Sequence, residues 1–139
     1  MFATLPIQAP MVSTAGFGRG AEIVIEQSYT AFNAFTSAIT TEALKQRFNR
    51  LRDAWREESF FSSKHGAMLS SSAYLSIIAM GKDALPFIFN EMRQQPEHWF
   101  IALNAITGIN PVKKENRGDI NAMTQDWLNW AVQHRYVAA

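Results

Sequence analysis

Three histidines, His65, His98 and His134, are the side chains of this 139-residue sequence best suited to acid–base or metal chemistry. They form neither an HExxH nor an HxH pattern, the spacings that bring two imidazoles onto one metal ion. Glu97 precedes His98 directly, and adjacent residues point to different faces of a helix. The sequence has no cysteine, which excludes disulfides and thiolate ligands. We therefore expect no metal site and no cofactor.

Serines near His65 raise the question of nucleophilic catalysis. Ser62 and Ser63 precede this histidine, and residues 70–72 are serines as well. A serine nucleophile needs an adjacent base, and hydrolases commonly place it in a GxSxG turn, which is absent here. Capping of the helix that begins near Leu69 is the simpler role for these serines. No acid, base and nucleophile converge elsewhere, so we expect that the protein is not an enzyme.

A glycine-rich run, Gly16-Phe17-Gly18-Arg19-Gly20, resembles a phosphate-binding loop in composition only. Such loops hold phosphate with backbone N–H groups at the start of a helix that follows a strand. No strand precedes this run, and no Lys-Ser/Thr pair follows it. The run is typical of a flexible arm.

Basic side chains gather on a predicted helix over residues 42–58. They are Lys45, Arg47, Arg50, Arg52 and Arg56. Four acidic residues of the same helix, at positions 42, 53, 57 and 58, offset most of this charge. We interpret the cluster as a solvated face with ion pairs worth a few tenths of a kcal/mol each. The alternative is a nucleic-acid-binding protein that uses this helix and the 113–117 loop, with affinity that falls steeply with salt.

Composition narrows the class of protein further. Thirteen basic and 12 acidic residues leave a net charge of +1, which provides no global field for attracting nucleic acid or anionic lipid. A hydrophobic content of 47% excludes full disorder. No apolar run approaches the length of a membrane span, and the first residues lack a secretion signal. We expect a cytoplasmic protein that does not bind membranes.

Charge is distributed unevenly along the chain. The first 41 residues hold three of the 25 charged side chains, which predicts an N-terminal arm over residues 1–40 and a helical domain over residues 41–139. Within the arm, the β-branched run at 22–26 favours a short strand. A second pattern, Ile25, Tyr29, Phe32, Phe35 and Ile39, has near-helical spacing, which favours a helix over 28–38.

From Thr41 onward the apolar residues recur at helical spacing. The pattern predicts helices over residues 42–58, 69–80, 84–94, 96–107 and 119–135. Thr41 and Asp119 are predicted N-caps, Gly81 and Gly108 are predicted C-terminal stops, and Pro96 is predicted to open the fourth helix. We expect an all-α compact bundle of five or six helices with a loose N-terminal arm.

The run from Ala73 to Val112, AYLSIIAMGKDALPFIFNEMRQQPEHWFIALNAITGINPV, resembles HEAT-like helical repeats. In that family a helix, a glycine turn and a helix with an early proline stack as hairpins. Only one full unit and part of another are present, and a solenoid usually needs about three; a compact bundle that contains the hairpin is the alternative. The pattern is also similar to small bacterial helical proteins of mobile or defence-associated loci, which would imply an antitoxin-like or defence-associated role.

Aromatic residues point to the function that we favour. Ten phenylalanines, four tryptophans and three tyrosines exceed what five short helices need for a core, and several lie off the apolar stripes. We expect a non-enzymatic protein–protein interaction module, with a homo-oligomer or a second protein as its partner. The predicted contact residues are Arg50, Arg56, Phe60, Phe61 and Trp99. Packing of the surplus rings within the chain itself is the alternative.

Overall fold

The computed structural model of the protein describes residues 19–61 and 70–138, with side chains from Val24 onward. Within these ranges the chain is all-α, which confirms the predicted fold class, and no strand is present. The five helices are α1 (Arg19–Phe60), α2 (Ser72–Ala79), α3 (Leu85–Gln94), α4 (Phe100–Thr107) and α5 (Ile120–Gln133). Short 3₁₀ turns at Gly81–Ala84 and Lys114–Asn116 lie before α3 and α5.

Helix α1 is continuous from Arg19 to Phe60, so the strand predicted at 22–26 and the N-cap predicted at Thr41 are both wrong. No proline occurs in this stretch, and its only glycine is in the first turn. The Thr40 hydroxyl donates to the carbonyl of Thr36 at 2.9 Å, a bond that a threonine makes inside a continuing helix. Residues 19–40 are therefore helical rather than a loose arm, and residues 1–18 lie outside the described range.

The chain divides into two units, Met1–Thr41 and Glu42–Ala139. The second unit has an apolar core to which every helix of that unit contributes. Within it α2 packs on α4, and α3 packs on α5. The largest fully buried side chains are Phe48, Tyr74, Ile77, Leu85, Ile88, Phe89, Met92, Trp99, Leu103, Thr124 and Trp127.

Capping residues set most of the helix ends where the sequence predicts them. The Ser71 side chain accepts a hydrogen bond from the N–H of Tyr74 and begins α2, which confirms the predicted capping role for this one serine. Gly108 ends α4 with a φ of 74°, in the left-handed region that favours glycine. Asp119 accepts from the N–H groups of residues 121 and 122 and begins α5, as predicted.

Helix α4 begins four residues later than its proline predicts. It starts at Phe100 rather than at Pro96. The residues between them make contacts with other parts of the second unit. The carbonyl of His98 accepts a hydrogen bond from the Tyr74 hydroxyl, and the carboxylate of Glu97 forms an ion pair with Arg56. These contacts keep residues 96–99 in an irregular turn.

The first part of the segment that resembles HEAT-like repeats forms a bent helix pair. The chain direction changes by 108° between α2 and the Gly81–Gln94 segment, at Gly81 with a φ of 64°. In the described ranges no single helix reaches the length and hydropathy of a membrane span, and this bent pair does so only when its two parts are counted together. Many of its apolar side chains are core residues, including Ile77, Leu85 and Ile88.

Candidate protein-interaction surface

Large apolar side chains are exposed along the first half of α1. Tyr29, Phe32, Phe35 and Ile39 are exposed, with Phe35 at 64%, and Ile25 is half-buried. We call these five residues the α1 stripe. At 100° per residue they all lie within one side of the helix, as the near-helical spacing predicts. An exposed face of this size is unusual for a surface that meets only water.

The α1 stripe lies in a stretch without charge. Residues 27–41 contain no lysine, arginine, aspartate or glutamate. The polar residues of the stretch partly satisfy themselves, since the hydroxyls of Thr30 and Thr36 donate to the carbonyls of Glu26 and Phe32 at 3.0 Å each. What the stretch offers to another molecule is therefore apolar contact rather than an ion pair.

Two more exposed rings lie at the C-terminal end of α1. Phe60 is 86% exposed and Phe61 is 81% exposed. The two rings meet edge to face with their centroids 5.5 Å apart, so they form one small apolar patch. Both were predicted contact residues, and both are on the surface. Arg50, another predicted contact, is exposed as well.

Arg56, also a predicted contact residue, belongs to an ion-pair network of the second unit. Its Nη2 lies 2.6 Å from Oε2 of Glu97 and 2.7 Å from Oε2 of Glu91. Arg52 approaches the other oxygen of Glu91 at 2.6 Å and also pairs with Asp53. Glu91 is buried, and it joins the two arginines of α1 to α3. The hydrogen bond to Glu97, with that to Glu91, raises the pKa of Arg56.

Trp99 is a core residue and not part of the surface predicted for it. Its side chain is 0% exposed. Its ring centroid lies 4.6 Å from Trp55, 5.7 Å from Phe48 and 6.1 Å from Tyr74. Trp99 thus has no area to offer a partner, because the irregular turn before α4 directs the indole into the helical core.

Tyr74 connects α2 to the start of α4. Its hydroxyl donates to the carbonyl of His98 and accepts from the N–H of Ala102, each at 3.0 Å. The Ala102 N–H belongs to the first turn of α4, where it has no partner within the helix. Burial raises the pKa of Tyr74 to about 12, against the lowering effect of the Ala102 hydrogen bond. The neutral phenol is therefore the form that the fold requires.

Asp126 anchors the loop that includes the predicted basic segment 113–117. Its Oδ2 accepts from the backbone N–H of Lys113 at 3.0 Å and from the side-chain amide of Asn116 at 2.8 Å. These hydrogen bonds, that from Asn116 first, lower the pKa of Asp126. The cations of the loop, Lys113, Lys114 and Arg117, remain exposed.

The histidines within the described ranges do not converge. His98 and His134 are exposed, and the His134 ring stacks on Trp130 with centroids 4.2 Å apart. No group of three or more acidic or histidine residues in these ranges could hold a metal ion. His65, Ser62 and Ser63 lie outside the described residues.

Comparison with protein-family models, with curated proteins and with solved structures finds no match to this chain.

Proposed function

We propose that the chain is a protein–protein interaction module whose α1 stripe packs against a helix of another polypeptide. The observation that carries the proposal is the exposure of Tyr29, Phe32, Phe35 and Ile39 on a single face of an uncharged stretch. Burying a large apolar side chain is worth roughly 1.5–3 kcal/mol. These four side chains are 40–64% exposed, so covering each of them contributes about half of that value to association.

The Phe60–Phe61 patch is the second contact that we propose. Two rings in mutual contact present a compact apolar anchor of the kind found at the centre of interfaces. Arg50 is an exposed cation of the same helix and suits the polar rim of such an interface. Arg56 is less available to a partner, because Glu91 and Glu97 already bind its guanidinium.

The nucleic-acid alternative has weaker support. Arg52 and Arg56, two of the five cations of the predicted basic helix, are held by carboxylates of the same fold. A partner made of phosphates would have to compete with Glu91, which is buried between these arginines. Exposed cations remain at Lys45, Arg47 and Arg50, but Glu42 and Glu57 are exposed on the same helix.

A photoreactive phenylalanine analogue tests the proposed function with a control one residue away. Placed at position 35, it substitutes a residue of the α1 stripe; placed at position 34, it substitutes an exposed alanine on the opposite side of the helix. We expect irradiation in the native cell to join position 35, and not position 34, to one defined polypeptide, with the linked peptide located by mass spectrometry. Phe32→Ser should abolish the product. Equal cross-linking at both positions, or none at either, would refute the proposal.

A further inference from the structure

We infer that the α1 stripe binds the α1 stripe of a second copy of this chain, so that two α1 helices pair across identical faces. This inference rests on the proposed function and names its partner. It commits to one occupant of the exposed face, and three features of residues 24–41 favour that occupant over others.

The spacing of the stripe is that of a helix pair. Ile25, Phe32 and Ile39 recur every seven residues, and Tyr29 lies four residues after Ile25. A seven-residue apolar repeat forms the seam of two helices that wind around each other, with each large side chain inserted between residues of the facing helix. The stripe therefore matches another helix better than it matches a flat surface.

The stretch beside the stripe carries no charge that would repel an identical partner. In helix pairs, charged residues flanking the apolar seam select the partner, since opposite charges attract and like charges repel. From Gln27 to Thr41 no flanking position carries a charge. Two copies of this stretch therefore meet without repulsion, and nothing in it selects a partner of either sign. The same lack of lysine and arginine disfavours a lipid surface, because helices that lie on membranes carry basic residues on their polar face.

The area of the stripe is sufficient for a small dimer interface. Aromatic side chains bury up to about 150–250 Å² each, and the rings here are 40–64% exposed. Each stripe residue thus removes on the order of 100 Å² of surface when it is covered. Five residues from each of two copies give on the order of 1,000 Å², the lower end of specific interfaces. The Val24 side chain, which is 60% exposed, extends the same region.

Sedimentation equilibrium of the full chain tests this inference. We expect a concentration-dependent mass that approaches twice 15.7 kDa. The double variant Phe32→Ser/Ile39→Ser should raise the dimer dissociation constant by at least about 100-fold, because it removes four large apolar side chains per dimer. Ala34→Ser, on the opposite side of α1, is the matched control and should leave the constant within about twofold. Because every substituted residue is exposed, the melting temperature of the monomeric variant should show that its core remains folded.

Four results would overturn the second copy as the partner. The first is a monomer at every concentration. The second is a dimer that Phe32→Ser/Ile39→Ser leaves intact. The third is a monomer that dimerises only after deletion of residues 1–18, which would make that segment the occupant. A monomer that binds vesicles of neutral phosphatidylcholine would assign the face to lipid and overturn the inference too. If the chain is monomeric while position 35 still cross-links to a different protein, the proposed function survives and only the inference of self-pairing fails.

Discussion

Glu91 accepts hydrogen bonds from Arg52 and Arg56 at once. We therefore expect neutralisation of Glu91 to lower the free energy of unfolding more than neutralisation of Asp53, the other carboxylate that pairs with Arg52. Glu91→Gln removes a buried charge that both guanidiniums face at 2.6 and 2.7 Å. Breaking a fully buried pair costs 3–5 kcal/mol and an exposed one less than about 1 kcal/mol. Because this site lies between those limits, we expect the free energy of unfolding to fall by about 2 kcal/mol in urea denaturation.

Asp53→Asn is the control for that substitution, because Asp53 pairs with the same Arg52 from an exposed position. We expect it to change the free energy of unfolding by less than about 0.5 kcal/mol. Equal effects of the two substitutions would show that the Glu91 network does not join α1 to α3 in solution.

Tyr74 predicts loss of stability at high pH. Its pKa is about 12 in the folded protein and about 10 in an unfolded chain. The folded state therefore favours the neutral phenol, and this contribution is complete below pH 10 and is lost as the pH rises through 12. Tyrosinate absorbance should show one late-titrating group whose ionisation coincides with unfolding. Ionisation of Tyr74 near pH 10 without unfolding would contradict the buried hydroxyl.

Removal of the Tyr74 hydroxyl should lower the free energy of unfolding at neutral pH as well. Tyr74→Phe leaves the Ala102 N–H and the His98 carbonyl without their partner. An unsatisfied buried group costs about 1–3 kcal/mol, so we expect a loss of that size in the free energy of unfolding. The Tyr136 hydroxyl makes none of the hydrogen bonds at the start of α4. Tyr136→Phe is therefore the control and should change the free energy of unfolding by less than about 0.5 kcal/mol.

Exposed rings should be dispensable for folding, unlike the buried ones. We expect Phe60→Ser/Phe61→Ser to leave the melting temperature unchanged within about 2 °C, because both side chains are more than 80% exposed. Phe48→Ala, in contact with Phe87 and Trp99, should cost about 3–5 kcal/mol. A large loss of stability in the Phe60/Phe61 variant would mean that these rings pack within the fold.

At the scale of elements, the loop before α5 should loosen in acid. Asp126 has a lowered pKa because Asn116 and the Lys113 N–H bind its carboxylate, so its contribution is present above the unfolded pKa of about 3.9. That contribution is lost as the pH falls through the lowered folded value. We expect the protection of the Lys113 amide, its exchange rate relative to that of an unstructured peptide at the same pH, to fall below that point. Asp126→Asn should remove this pH dependence of the protection. Protection of Lys113 that stays constant across the range would contradict the anchoring role.

Local signals in the sequence located most of the elements. The helical spacing of apolar residues identified the helices that became α2 to α5, and Asp119 and Gly108 marked ends correctly because caps act within one turn. The continuity of α1 through Thr41 was not predicted, since a threonine can either cap a helix or bond back to its own preceding turn. The late start of α4 depends on Tyr74 and Arg56, which are distant in sequence.

The candidate surface was predictable only in part, for the same reason. Near-helical spacing identified the α1 stripe. Phe60 and Phe61, two of the predicted contact residues, are exposed. The pairing of Arg56 was not predicted, because its partners lie 35 and 41 residues away along the chain. The burial of Trp99 likewise depends on distant rings, those of Phe48, Trp55 and Tyr74. Spacing within one helix carries no information on such contacts.

At the scale of the whole molecule, the protein combines a helical unit with a well-packed core and a helix whose first half exposes apolar side chains. The α1 stripe lies in a stretch, residues 27–41, that contains no charged side chain. Association through this face should therefore depend little on ionic strength, because the stretch has no ion pair that salt could weaken. We expect the dimer dissociation constant to change by less than about threefold between low and moderate salt, as measured by sedimentation.

Amide hydrogen exchange along α1 tests the central claim most directly. We expect the amides of residues 27–41 to exchange more slowly as the protein concentration rises through the dimer dissociation constant, while those of α3 keep one rate as an internal reference. The Phe32→Ser/Ile39→Ser variant should lose the concentration dependence, and Ala34→Ser should retain it. Exchange in residues 27–41 that is the same at every concentration, in the wild type and in both variants, would contradict the account.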